Sequence, residues 1–308
     1  KDAVYLAYWD DLLWGIDATG QLWWSSQIGT ESNDAQLPLP DSSVTKLFIA
    51  RNASDTVVLF AATIQGLFAH DNAGKKWLFT ELELPTHPDN GKGSRRWRDS
   101  VYLPAGGACY SYIQGSNSAV VTWMGPDLDD GLPSDNRGVI RQLVGTHLDL
   151  LAIVDATSAP GAVNTFLTRG AGSHHGVVMD PDVGYSSILA WNEEGWEVKW
   201  VGGSAEQAIS WAHVSSAYST YRLWWAQNQR VFYMPLARDI QNPKESTTMT
   251  YAASGLLITP WLEVGQDANG VALGLKVETD GATSTETVAV DYALNYSSTY
   301  TNLGTITT

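Results

Sequence analysis

"VTKLFIARNASDTVVLFAATIQGLFAHDNAGKKWLFTE", residues 44–81, decides the fold of this chain. It opens on an apolar run, "VTKLFIA" (44–50), and breaks at a polar stretch. It then gives "VVLFAATIQGLFAHD" (57–71), two apolar or aromatic runs around a small Gly-bearing turn. That middle piece has the signature of a β-hairpin. A further alternating run, "KKWLFTE" (75–81), follows. Four antiparallel strands in about forty residues are the content of one blade of a β-propeller.

The same hairpin recurs outward in both directions. Copies stand at "LLWGIDATGQLWWSS" (12–26), "SVYLPAGGACYSYI" (100–113) and "YRLWWAQNQRVFYMPL" (221–236). A further copy is split by an insertion into "LDLLAIVDAT" (148–157) and "SSILAWNEEGWEVKW" (186–200). Equivalent first-strand positions fall at 12, 58, 101, 150 and 223, steps in the forties until the insertion lengthens the last one. "GVIRQLVG" (138–145) and "AISWAHV" (208–214) precede hairpins as inner strands, and "AVVTWMG" (119–125) and "GWEVKWV" (195–201) follow them as outer edges. A sandwich of such hairpins would show turns every 8–12 residues or so without this longer period. The expected fold is therefore all-β, a propeller of about five blades over residues 1–250.

Past the polar, proline-containing stretch 238–250, read as a linker, the pattern changes. "GLLITPWLEVG" (255–265), "VALGLKVETDG" (271–281), "ETVAVDYALN" (286–295) and "YTNLGTIT" (300–307) alternate like strands with one apolar face. Residues 251–308 are expected to form a small antiparallel β-sandwich-like segment, with "GLLITPW" alternatively the last outer strand of blade five. The best helical candidate in the chain is short, "GSAEQAIS" (203–210).

Composition agrees with strands and narrows the function classes. The 308 residues include 14 Trp, 13 Tyr and 28 Gly, with only 17% charged. A formal charge of −15 argues against nucleic acid as a partner, because phosphate neutralisation needs the opposite sign. No apolar run reaches the roughly 18–20 residues of a transmembrane helix, so the chain reads as soluble. It has no initiator Met and stops at a predicted strand, "GTITT", which leaves room for it to be a segment of a longer protein. The one cysteine, Cys109, excludes an intrachain disulfide and reads as a small buried apolar side chain.

"GLFAHDNAGKKW" (66–77) matches the Asp-box hairpin of sialidase-like propellers at Asp71, Gly74 and Trp77, with Ala69 where Ser would stand. In such a hairpin the Asp bonds turn amides and the Trp packs on the blade, so the match is read as structural. Sialidase chemistry would need converging arginines, a Tyr nucleophile and a general acid, and nothing marks that set. Catalytic residues are therefore expected to be none. The basic run "HPDNGKGSRRWR" (87–98) offers Arg95, Arg96 and Arg98 as an interaction loop. The acidic run "GPDLDDGLPSDNRG" (125–138) offers Asp127, Asp129 and Asp130. Carboxylates in such number suit Ca2+, but the run departs from the EF-hand pattern, and no cofactor or metal is expected. His174 and His175, in the insertion of blade four, read as a further interaction loop. The pairs Trp23 and Trp24, and Trp224 and Trp225, could stack on sugar rings or pack between blades.

The ordered set "GLFAHDNAGKKW", "LPTHPDNGKGSRRWRDSVYLPAG", "GPDLDDGLPSDNRGVIRQLVGTHLDLLAIVDATSAPG" and "SGLLITPWLEVG" resembles uncharacterised propeller-containing virion structural proteins, tail or minor structural proteins, of tailed bacteriophages. The resemblance covers most of the chain and carries no catalytic residue. It implies a non-enzymatic component of the phage tail or a fibre, an assembly scaffold in multiple copies with other virion proteins as partners, and a part in host attachment. The alternative is a secreted carbohydrate-active propeller, either a lectin-like module that binds a host surface glycan or a sialidase-like glycosidase.

Overall fold

The computed structural model describes residues 3–17, 22–26, 31–33, 44–71, 76–84, 86–115, 118–126, 132, 136, 138–155, 186–202, 208–217, 221–236, 255, 257, 259, 275–279, 283–294, 297 and 299–307. They divide into two compact units, residues 1–258 and 259–308.

The first unit is a β-propeller of five blades. Blade one is β1 (Tyr5–Trp9), β2 (Leu12–Ile16), β3 (Leu22–Ser25) and β4 (Glu31–Asn33). Blade two is β5 (Val44–Arg51), β6 (Val57–Thr63), β7 (Gly66–Asp71) and β8 (Lys76–Glu83). Blade three is β9 (Arg95–Trp97), β10 (Ser100–Ala105), β11 (Ala108–Gln114) and β12 (Ala119–Trp123). Blade four is β13 (Val139–Gly145), β14 (Leu150–Asp155), β15 (Ser187–Trp191) and β16 (Trp196–Val201). Blade five is β17 (Ile209–Ser215), β18 (Arg222–Gln227) and β19 (Arg230–Pro235). Every neighbouring pair within a blade is antiparallel.

The period read from the hairpins thus holds, and three strands join it that the sequence hid, one of them the short β4 at the edge of blade one. In "YLAYWDDLLW" the turn residues Asp10 and Asp11 both take positive φ (52° and 60°), closing the two-residue hairpin from β1 to β2 without a glycine. Asn228 and Gln229 do the same between β18 and β19. Asp and Asn tolerate that conformation better than most side chains. The second hidden strand is β9: the basic run is not all loop, since its Arg95–Trp97 portion pairs with β10 as the first strand of blade three. Of the helix expected over 203–210, residues 203–207 lie outside the described residues, and Ile209 and Ser210 open β17 instead.

Four apolar clusters fill the four successive interfaces between blades. Trp9, Trp14, Leu22, Leu59, Phe68 and Trp77 join blades one and two. Phe60, Leu67, Leu103 and Tyr112 join two and three, with the Phe60 and Tyr112 rings 6.4 Å apart and edge-on. Trp97, Tyr102, Leu150, Leu189 and Trp196 join three and four, where Trp97 Nε1 donates to the Thr146 carbonyl (2.6 Å) and Trp196 Nε1 to that of Met124 (2.6 Å). Ile153, Ile188, Leu223 and Trp225 join four and five. Cys109 is buried and in no disulfide, as the sequence indicated. Each fully buried Leu in these seams is worth about 1.5–3 kcal/mol in area removed from water.

In the second unit, β20 (Val288–Tyr292) and β21 (Thr301–Ile306) form a two-stranded antiparallel sheet with a bulge at Val290 and Asp291. Residues 275–279 are described without strand pairing, so the last two of the four expected strands make the sheet described there.

Candidate functional site

The loop from Leu84 to Ser94 runs between blades and ties three of them together. It begins on the tip of blade two, where Leu84 N donates to Gln65 O (2.8 Å) and Asn90 Nδ2 to Ile64 O (2.8 Å). It reaches blade three through Gly91 N to Pro104 O (2.8 Å), and blade four approaches it through Leu143 N to Gly93 O (3.4 Å). Glycine is required at two points. At Gly93 (φ 74°) a Cβ would stand 2.5 Å from the Gln142 Cα, and at Gly91 (φ 72°) it would stand 2.7 Å from the Ala62 Cβ.

A charged bridge pins this loop. Arg141 of β13 reaches Asp89 on the loop (2.6 Å) and Asp155 at the end of β14 (3.1 Å), and Lys92 adds a second contact to Asp89 (2.7 Å). Burial alone would push the Asp89 carboxyl up, but the Lys92 hydrogen bond and the charges of Arg141 and Lys92 outweigh it and hold the carboxyl below its usual value. Burial pushes His87 down, so its imidazole favours the neutral form, and its Nδ1 accepts from Asp89 N (3.2 Å). Nearby, the Gln142 side-chain amide bonds both backbone groups of Ala212, donating to its carbonyl (2.8 Å) and accepting from its N–H (2.9 Å). This amide stitches β13 to β17 as a strand would.

The inner strands β1, β5, β9, β13 and β17 also neighbour one another in turn. Lys46 Nζ of β5 lies 4.6 Å above the Tyr5 ring of β1. Arg95 of β9 stands against Gly145 of β13, its Nε 3.4 Å from where a Cβ would be. Burial first, and the Arg95 charge second, lower the Lys46 ammonium from its usual value.

The sequence-selected residues fall in different places. Arg95 stands against Gly145 of blade four, Arg96 donates to the Arg98 carbonyl (2.9 Å), and Arg98 lies on the Trp97 ring (4.4 Å) while pairing with Glu193 of blade four. The three therefore do not form one patch. Trp77 of the Asp-box-like hairpin is buried edge-on to Trp14 (5.9 Å), a packing role. Trp23 lies over Gly15 and is buried, Trp24 packs on the seam of blades one and two, and Trp225 is buried on the blade-four side. Trp23 and Trp224 face away from the neighbouring blade of their seam; Trp23 is buried over Gly15, whereas Trp224 lies beside Tyr233 (5.0 Å) and under Arg222 (5.8 Å). Asp127, Asp129, Asp130, His174 and His175 lie outside the described residues. Among the described residues no three His, Cys, Asp or Glu side chains are grouped to hold a metal, and no helix is long and apolar enough to cross a membrane.

Sequence reading missed Lys46, Arg141, Gln142 and the outward faces of the end blades. The available signal was a cation or amide set inside an otherwise apolar inner strand, "VTKLFIA" and "GVIRQLVG". On blade five, the residues that alternate away from blade four are Trp211, His213, Arg222, Trp224, Val231 and Tyr233. Trp211 is 51% exposed, Val231 68% and Tyr233 54%. On blade one the matching face carries exposed Val4, Leu6 and Tyr8. Among the described residues no fifth apolar cluster joins these two faces.

No family model matches the chain, and no curated protein does. Similar solved structures include the extracellular domain of BT4673 from B. thetaiotaomicron, at 13% identity and a TM-score of 0.47, covering 76% of this chain and 27% of that one. The chain thus spans about a quarter of that neighbour's length. The computationally designed Ika8 protein is similar at 10% identity and a TM-score of 0.39, over 77% of this chain and 71% of that one. A mutant of AofleA from Arthrobotrys oligospora is similar at 14% and 0.39, over 74% and 66%.

Proposed function

We propose that this chain is a structural component of a tailed-phage virion, in the tail or a fibre. In this reading its propeller is a rigid scaffold that docks other virion proteins and takes part in host attachment. The resemblance of its blade and loop signatures supplies the setting. The observation that carries the scaffold reading is the pair of apolar sheet faces at the two ends of the blade series, Val4, Leu6 and Tyr8 on one and Trp211, Val231 and Tyr233 on the other. Contiguous apolar surface of this kind on a soluble domain marks a protein contact. The polar groups support the same reading, since Arg141, Arg98 and Gln142 are spent on holding blades together. Labelling purified tailed-phage particles with an antibody to this chain tests it: decoration at the tail is expected, and absence from intact particles overturns it.

A second reading, a lectin-like module, is favoured by two exposed aromatic planes. Trp211 stacks on His213 (5.5 Å, 14°), and Trp123, 48% exposed, stacks on Tyr110 (6.1 Å, 15°). Planar rings of this kind suit the apolar face of a sugar. A glycan array decides it: binding that Trp211→Ala and Trp123→Ala abolish supports it, and no binding by the wild-type chain removes it.

A further inference from the structure

Every seam in the propeller joins the face of one blade to the opposite kind of face on the next. Blades two, three and four use both of their faces in this way, and blades one and five use one each. Among the described residues the inner strands neighbour one another in turn from β1 to β17, and no comparable packing joins β17 back to β1. The two unused faces are nevertheless made like seams. Blade five offers Trp211, Val231 and Tyr233 where a next blade would follow, and blade one offers Val4, Leu6 and Tyr8 where a blade would precede, every one of them more than half exposed. Each face is therefore of the kind that the other lacks.

The ends of the blades give this pairing a register. The first connections of neighbouring blades adjoin: Arg98, between β9 and β10, donates to the carbonyl of Leu148, between β13 and β14 (3.1 Å). The adjacent His147 ring lies 5.6 Å from that of Tyr221, between β17 and β18. The next connection in that order is a β1–β2 turn, Asp10 and Asp11, and it would arrive beside Arg222. Both aspartates are exposed. Arg222 lies over Tyr233 (4.6 Å) and Trp224 on the unused face, and among the described residues its Nε has no hydrogen-bond partner. A cation at one end of an apolar face, with carboxylates at the matching end of its counterpart, fixes register and suppresses wrong pairings.

We propose that the two faces bind each other between copies of this chain, blade five of one copy packing on blade one of the next with Arg222 beside Asp10 and Asp11. This rests on the scaffold reading of those faces and names a second copy as their partner. A contact between two different faces leaves one of each kind free on every pair, so it propagates. Two copies carry twice the five blades, above the roughly four to eight that usually close one propeller, so the product is an open head-to-tail series.

Sedimentation of the full chain over a concentration series tests it. The wild-type mass is expected to climb with concentration from one copy through two and more, and a wild type that stays at one copy throughout overturns the proposal. Leu6→Lys closes the blade-one face and Trp211→Asp the blade-five face, both at positions already more than half in water, and each variant alone is expected to stay at one copy. Mixed in equal amounts, the two still hold one good face each and are expected to give a pair and nothing larger. A mixture that stays unpaired overturns the proposal, as does a pair formed by either variant alone, since that contact would join like faces. Arg222→Glu is expected to raise the dissociation constant tenfold or more, and an unchanged constant also overturns it. The scaffold reading fails separately: a chain found in the tail that stays at one copy in solution keeps that reading and loses this one.

Discussion

The seam between blades two and three and the outward face of blade five are made of the same material. The first presents Phe60, Leu103 and Tyr112, each no more than 1% exposed. The second presents Trp211, Trp224 and Tyr233, and Trp211 and Tyr233 are more than half exposed. Both arise from strands with alternating apolar residues, and both stack aromatic rings across a sheet. What differs is only whether another blade follows. Aromatic richness therefore specifies a blade, whereas position in the series specifies which of its faces is dry.

That contrast can be broken first where it is strongest. Leu103→Ala removes a fully buried side chain from the seam and should cost about 3 kcal/mol, read by chemical denaturation. A loss below about 1 kcal/mol would mean that the seam is far looser than its packing indicates.

Arg141→Met tests the polar part of the interior. It leaves Asp89 and Asp155 without their shared partner, and the expected loss at pH 7 is about 2 kcal/mol, because Arg141 is one-third exposed and water softens the effect. The pH dependence has a definite sign. The folded Asp89 carboxyl sits below its unfolded value near ~4, so its contribution is present above that pH and fades as pH falls towards the folded value. The gap between wild type and Arg141→Met should therefore narrow on acidification below about pH 4. Gly93→Ala follows, at more than about 1 kcal/mol, because φ 74° strains an alanine and its Cβ meets the Gln142 backbone.

Why the sequence spoke clearly about blades and poorly about the site follows from the same physics. Hairpins such as residues 57–71 announce themselves because the signal is local: alternation, then a turn, then alternation. Strand β9 was hidden because its three residues, Arg95–Trp97, carry two charges and owe their pairing to β10 rather than to any propensity of their own. Strand β1 was hidden because Asp10 and Asp11 make a turn that usually shows a glycine. The contacts of Lys46 with Tyr5 and of Arg95 with Gly145 each join two blades, and no spacing along the chain encodes them. Arg141 and its two carboxylates are likewise separated by tens of residues on one side and by a strand turn on the other. The three arginines of the basic run showed the opposite failure, adjacency in sequence without adjacency in role. Arg95 stands against Gly145, and Arg98 turns to Glu193.

The smallest expected effect bears most directly on the comparison. Trp211→Ser removes one of the largest side chains in blade five, yet it should change stability by no more than about 0.5 kcal/mol, because the ring is half in water already and its main neighbour is the parallel His213 imidazole. Trp225→Ser, on the opposite face of the same blade, removes a ring that is 2% exposed and packed on Trp200 (5.0 Å), and it should cost several times more. The two substitutions delete the same atoms from one three-stranded sheet, so local strand propensity cancels between them and the difference isolates the neighbouring blade. If denaturation shows equal losses, the outward face of blade five is covered in the folded chain and the end blades are not free. If only Trp225→Ser is costly, Trp211 is held for something outside the chain, and the same variant should lose the docked partner while keeping the wild-type Tm.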